Sequence, residues 1–156
     1  LTQARSEGFK KALGDCGLKV SNRVAADFTV QGGEAVTSQL LAAAPHIDAI
    51  WNHDDDQGVG VLAAIQAAGR SEFFMVGGAG SANAMREIKS GTSVLKATVI
   101  YPSTQAADGI RLARLLAQGK SLADLVEVEI PTRIVLNAPV VTKDNVDKYL
   151  PTAFES

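Results

Sequence analysis

Residues 47–81 read IDAIWNHDDDQGVGVLAAIQAAGRSEFFMVGGAGS, and the change of period within them decides the fold class. Ile47 to Trp51 is short, apolar and bounded by turn residues, as a buried strand is. Val61, Leu62, Ile65 and Ala68 then recur at helical spacing until Gly69 stops them. Phe73 to Val76 returns to a short apolar run. A strand, a helix and a second strand in this order make a β-α-β unit, and such units build parallel sheets.

The alternation continues on both sides. Upstream, a helix is expected from about Ala4 through Leu13, with Gly14 and Gly17 free to end it, and a strand from about Leu18 to Phe28. Val36, Leu40 and Leu41 line one face of a second helix that closes before Pro45. Downstream, a helix from about Ser81 to Lys89 ends at Gly91, a strand runs from Leu95 to Tyr101, and a longer helix from Pro102 to Gln118 carries Ile110, Leu112, Leu115 and Leu116. Pro in its first turn and Gly119 past its end fit the usual asymmetry of helix ends. After Lys120 the pattern loosens. Val126 to Ile130 and Arg133 to Leu136 read as short extended segments around Pro131, Asn145 to Leu150 as a last helical turn, and the tail as a strap over the other layers. The expected architecture is a three-layer α/β/α domain with a mainly parallel sheet.

Composition narrows the function. Fifteen basic and 17 acidic side chains give a formal net charge of -2, and no run of like charge offers a nucleic-acid or membrane patch. The lone Cys16 has no internal disulfide partner, and neither it nor the two His residues stand at zinc-site spacing. The longest apolar runs are far shorter than the roughly 20 residues of a membrane helix. The chain begins at Leu1 without Met and enters helical sequence at once, so a processed or truncated product is expected.

In an open parallel sheet ligands bind beyond the carboxyl ends of the strands, so the residues leaving each strand are the ones to read. These are Ala26-Asp27-Phe28, Trp51 through Asp56, Gly77 through Ser81, and Tyr101-Pro102. His53 beside three Asp residues tempts a metal reading, but consecutive residues leaving a strand diverge, whereas a divalent ion needs converging ligands. Helix amino-terminal capping accounts for Asp55 or Asp56. Asp54, the first carboxylate after the strand, is left to face a ligand through charge-assisted hydrogen bonds. Gly78-Ala79-Gly80 lacks the third Gly and the distal acid of a dinucleotide loop, and Ser81 lacks the setting of a nucleophile elbow. No cofactor is expected and no catalytic group stands out. Phe9, Phe73 and Phe74 read as core; Phe28 and Tyr101, ending strands at the ligand edge, do not.

Taken in order, these segments resemble the periplasmic binding proteins for ribose-type sugars and the lactose-repressor-like regulators that share their fold. Arg5-Ser6-Glu7-Gly8-Phe9 resembles the Arg-x-x-Gly-Phe opening of the second lobe's first helix, and Ala26-Asp27-Phe28 the segment whose aromatic ring stacks on the sugar. Asp48 through Asp55, with the helix ending near Gly69, is similar to the strand-helix stretch that carries Asn-Asp. Val76-Gly77-Gly78-Ala79-Gly80 stands where the family has Val-Gly-Phe-Asp-Gly, and Ala97-Thr98-Val99 through Tyr101-Pro102 resembles the segment before the helix that returns to the first lobe.

The resemblance implies a receptor that holds a sugar or polyol and hands it to the permease of an ABC importer outside the cytoplasm. The whole chain, residues 1–156, would be the carboxy-terminal lobe of a two-lobe protein. Residues 102–125 would cross back to an absent first lobe, leaving the apolar side of that helix short of partners. Arg5 would offer a rigid fork of donors, Phe28 would cover the apolar face of the ligand, and Asp54 would accept from hydroxyls where ribose binders place Asn. Ala79 replaces the family's sugar-binding Asp, and Tyr101 falls near its hinge Gln; both departures leave pentoses other than ribose, hexoses and linear polyols open. The effector domain of a transcription regulator is the alternative, and an enzyme on a Rossmann-like sheet stands third.

Overall fold

The computed structural model describes residues 2–122 and 130–155. In chain order the elements are α1 (Thr2–Asp15), α2 (Val30–Ala43), β1 (Ala49–Trp51), α3 (Asp55–Ala67), β2 (Phe74–Ala79), α4 (Ala82–Ser90), β3 (Leu95–Ile100), α5 (Gln105–Ala117), β4 (Val140–Thr142) and α6 (Val146–Tyr149), followed by a 3-10 turn over Leu150–Thr152. The sheet order is β1-β2-β3-β4; the first two pairings are parallel and the last is antiparallel. The result is the expected mostly parallel sheet flanked by helices.

Local chemistry sets the helix ends. Thr29 caps α2 by accepting from the Gly32 N–H at 3.0 Å, and Ser81 caps α4 by accepting from the Ala84 N–H at 3.2 Å. Gly91, at φ 73°, ends α4 in the left-handed conformation that costs glycine nothing. α2 and α3 pack backbone to backbone because both carry glycine at the crossing. A Cβ on Gly60 would overlap the Val30 carbonyl oxygen, and one on Gly33 would overlap that of Gln57.

The main core joins Leu41 of α2, Val61 and Ile65 of α3, Phe73 and Met75 around β2, Ala84 and Ile88 of α4 and Leu95 of β3. A second cluster under the tail joins Met85, Val141 and Val146. Burial of these apolar side chains, on the order of 1.5–3 kcal/mol for each large one, fixes the layers and thereby the edge at which β1, β2 and β3 all end.

Several expectations are corrected. Residues 18–28 form no strand: Leu18 and Val24 are exposed, the segment is rich in Lys, Asn, Arg and Ser, and only β2 pairs with β1 among the described residues. The tail is more than a strap, because β4 extends the sheet and its Val141 is fully buried. Arg133 to Leu136 form no strand and are exposed, and Val126 to Glu129 lie outside the described residues. Phe74 is half-exposed, since alternation along β2 turns its neighbour Met75 inward. α5 starts at Gln105, three residues after Pro102. α5 has no buried residue, and Ile110 and Leu116 are 72% and 61% exposed.

Candidate functional site

Three residues gather where β1 and β3 end. Arg5, in the first turn of α1, directs Nη1 to the His53 carbonyl at 2.9 Å and to the Tyr101 hydroxyl at 2.6 Å. The Tyr101 hydroxyl donates to the same His53 carbonyl at 3.0 Å, and the guanidinium lies 4.9 Å from the Tyr101 ring centroid. One face of α1 makes the attachment: Ser6 Oγ is 3.4 Å from His53 Nε2, and Phe9 stacks on Trp51 at 4.2 Å between centroids. His53 covers Trp51 at the same separation. Arg5, a residue remote in sequence, is thereby held at the ligand edge of the sheet. Two buried polar atoms there, Arg5 Nε and His53 Nδ1, have no hydrogen-bond partner.

The Asp run divides its labour differently from expectation. The cap of α3 is Asp54, whose Oδ1 accepts from the Asp56 N–H at 3.1 Å, while the Asn52 side-chain amide donates to the Asp54 carbonyl. Asp55 is instead turned inward and 5% exposed. One of its oxygens accepts from the Gly80 and Ser81 N–H groups at 2.8 and 2.9 Å, and the Thr98 hydroxyl donates to its carboxylate at 3.0 Å. It ties the β1–α3 junction to the β2–α4 turn and to β3. Burial pushes the Asp55 carboxyl above its ordinary range, against the opposing pull of Ser81, Thr98 and Gly80 and with help from the Asp54 charge. Asp56 is exposed.

Ala79 ends β2 at φ 120°, a region costly for any residue with a Cβ, and its carbonyl accepts from the Tyr101 N–H at 3.0 Å. Gly78 lies under the Tyr101 hydroxyl, and a Cβ there would overlap that oxygen and stand 3.0 Å from the His53 carbonyl oxygen. Phe28 is half-exposed on the loop before α2. Gln57 of α3 donates to the Asp27 carbonyl at 2.8 Å and so places this loop beside the start of α3, but the Phe28 ring contacts no other aromatic ring among the described residues. A shallow cavity of about 320 Å³ lies against α2, lined by Ala25, Ala26, Asp27, Gly32, Ala35 and Val36, and includes none of the Arg5 cluster.

The structure therefore brings Arg5 and Tyr101 into contact, has Asp54 directly follow the His53 whose carbonyl they share, leaves Ala79 at the adjacent strand end and holds Phe28 on a neighbouring loop. Burial first, then the charges of Arg5 and Arg23, keep the His53 imidazole below its ordinary value. Among the described residues no three His, Cys, Asp or Glu side chains come together as a metal would require. Sequence reasoning assigned no role to the His53 carbonyl or to Gly78, and the cap expected of Asp55 or Asp56 belongs to Asp54. Gly78 alone carried a signal, since glycine at the end of a strand marks close approach by another group.

The family described as periplasmic binding protein domain matches residues 1–121. The ribose import binding protein of Bacillus subtilis is 33% identical over 116 residues, covering 70% of this chain and 37% of that protein. The D-ribose/D-allose-binding protein of Pseudomonas aeruginosa is 29% identical over 119 residues, covering 76% of this chain and 37% of that protein. Among solved structures, the periplasmic component of the arabinose transporter from Shewanella superposes with a TM-score of 0.79 at 19% identity, over 94% of this chain and 48% of the other. At that identity the likeness concerns the fold. The chain thus spans well under half the length of these curated relatives. With the edge geometry above, this match shows that the chain belongs to the periplasmic binding protein domain family.

Proposed function

We propose that the full-length protein is an extracytoplasmic solute receptor that captures a sugar or polyol at the edge built by Arg5, Asp54 and Tyr101 and delivers it to the permease of an ABC importer. The remainder of the protein supplies a second lobe that closes over the ligand, and the apolar side of α5 packs on that lobe; residues 123–125 of the expected crossover lie outside the described residues. Nothing in this reading needs a covalent bond made or broken.

The observation that carries it is the pair of unpartnered buried polar atoms, Arg5 Nε and His53 Nδ1, at the carboxyl ends of parallel strands. A buried donor without an acceptor costs about 1–3 kcal/mol, and a hydroxyl-rich guest removes that cost on both atoms, since each hydroxyl donates and accepts. Phe28, half-exposed on its loop, offers the apolar surface that the C–H face of such a guest needs. Asp54 keeps one carboxylate oxygen beyond the one it uses to cap α3. The names of the relatives support the ligand class: a D-ribose/D-allose binder, ribose import binders and a xylitol-binding protein.

A thermal-shift screen of the full-length protein against pentoses, hexoses and linear polyols tests the reading. Selective binding raises the melting temperature by mass action, with about 2.7 kcal/mol of added stability at a ligand concentration a hundredfold above Kd. A flat response across the whole panel refutes it.

A further inference from the structure

We infer that Gly78 and Tyr101 form a coupled pair in which the space left open by the glycine admits the Tyr101 hydroxyl, and that this hydroxyl is the positioning group that aims Arg5 at the ligand edge. The inference deepens the sugar-receptor reading and rests on it for its ligand arm only.

The geometry is specific. The place a Cβ on Gly78 would take is already occupied by the Tyr101 hydroxyl oxygen, with the ring carbon that bears it 3.0 Å away. Any side chain at 78 therefore excludes this seating of Tyr101. Seated there, the hydroxyl meets Arg5 Nη1 at 2.6 Å and the His53 carbonyl at 3.0 Å, and Nη1 meets that carbonyl at 2.9 Å. The three groups close a triangle with balanced roles: Arg5 donates twice, the hydroxyl accepts once and donates once, and the carbonyl accepts twice. Nη1 thereby spends both of its hydrogens inside the triangle, while Nε has no partner. Arg5 comes from an exposed helix with a single buried residue, so little besides this triangle and the ring face of Tyr101 holds its side chain. Tyr101 is held in turn, since its N–H bonds the Ala79 carbonyl at 3.0 Å.

Tyr101→Phe keeps the ring and removes the hydroxyl, and Gly78→Ala keeps the hydroxyl but evicts it. Two readouts separate the pair from the ligand reading. In the ligand-free full chain, the His53 imidazole is titrated by NMR and assigned by the loss of its signal in His53→Gln. The groups that face it are Arg5 on α1, Arg23 on the preceding segment, the Ser6 hydroxyl and the Trp51 ring. Arg5→Gln removes the guanidinium charge and raises the His53 value. If the hydroxyl aims Arg5, Tyr101→Phe and Gly78→Ala each reproduce most of that rise, which a merely structural loss in a folded variant does not. An unchanged His53 titration in Tyr101→Phe, alongside a rise in Arg5→Gln, overturns the pairing. In the second arm, whichever of D-ribose, D-allose and xylitol binds the wild-type chain binds Tyr101→Phe and Gly78→Ala about tenfold more weakly each, and the double variant falls short of the product. Wild-type affinity in Tyr101→Phe also overturns the pairing. If none of the three binds the wild-type chain, the sugar reading loses its support for these ligands, and the titration alone decides the pair.

Discussion

Asp55→Ala offers the most quantitative test of how the ligand edge is held together. The side chain accepts from three donors on two other elements: the N–H groups of Gly80 and Ser81 and the hydroxyl of Thr98. Ser81 is 1% exposed and Thr98 is fully buried, so neither has water as a substitute partner. Orphaning a buried donor costs about 1–3 kcal/mol, which sums to roughly 3–9 kcal/mol for three. One effect reduces this: the carboxylate no longer bears its own desolvation. The net expectation is a loss of about 3 kcal/mol, large beside the 5–15 kcal/mol of a typical domain. Asp55→Asn keeps an oxygen for both N–H groups and should lose only about 1 kcal/mol. Urea unfolding of the full-length protein followed by far-ultraviolet circular dichroism measures both. A loss below about 1 kcal/mol for Asp55→Ala, or equal losses for the two variants, refutes the reasoning.

The clamp has a pH signature as well. Because burial raises the Asp55 value in the folded state, the unfolded chain deprotonates first, and stability falls as pH rises from the ordinary carboxyl value through the raised one. Wild type should therefore gain on Asp55→Asn as pH is lowered through that window, in paired unfolding curves. His53 works in the opposite sense: its folded value is depressed, so its contribution is complete above the ordinary histidine value of 6.5 and is lost as pH falls through the folded value. His53→Gln should flatten that part of the stability profile. Gly60→Ala should lower the melting temperature; alanine gains about 1 kcal/mol in helix propensity, but its methyl meets α2 backbone on Val30 and Glu34, which cannot rotate away, and the separation of α2 from α3 costs more. Ala79→Gly should raise stability by about 1 kcal/mol, relief at φ 120° exceeding the added freedom of the unfolded chain.

The parts legible in the sequence were those where one period or one cap acts alone. The stretch from Ile47 to Ser81 declared its strand, helix and strand because the apolar spacing changes twice between punctuating glycines. Residues 18–28 misled because a few valines among polar residues satisfy strand propensity, whereas a strand also needs a neighbour and a buried face. β4 was missed for the converse reason: Val140–Thr142 is too short to show a period, and only its antiparallel pairing with β3 and the burial of Val141 against Met85 and Val146 reveal it as a strand. At the site, Arg5 and Tyr101 were named from resemblance and do meet, but nothing in a linear sequence states that a tyrosine hydroxyl sits over Gly78. The Asp run could not be apportioned by spacing, since which carboxylate caps and which turns inward depends on where Gly80, Ser81 and Thr98 arrive in space.

Isothermal titration calorimetry of the full-length protein with D-ribose, D-allose and xylitol, run beside Arg5→Ala, goes to the centre of the account. Saturable one-to-one binding of at least one of them, weakened by about 2 kcal/mol or more in Arg5→Ala, is the predicted result, because a buried charged donor would be lost from the ligand's hydroxyls. Binding of equal strength in wild type and Arg5→Ala would place the ligand away from the edge where β1, β2 and β3 end, and would contradict the account.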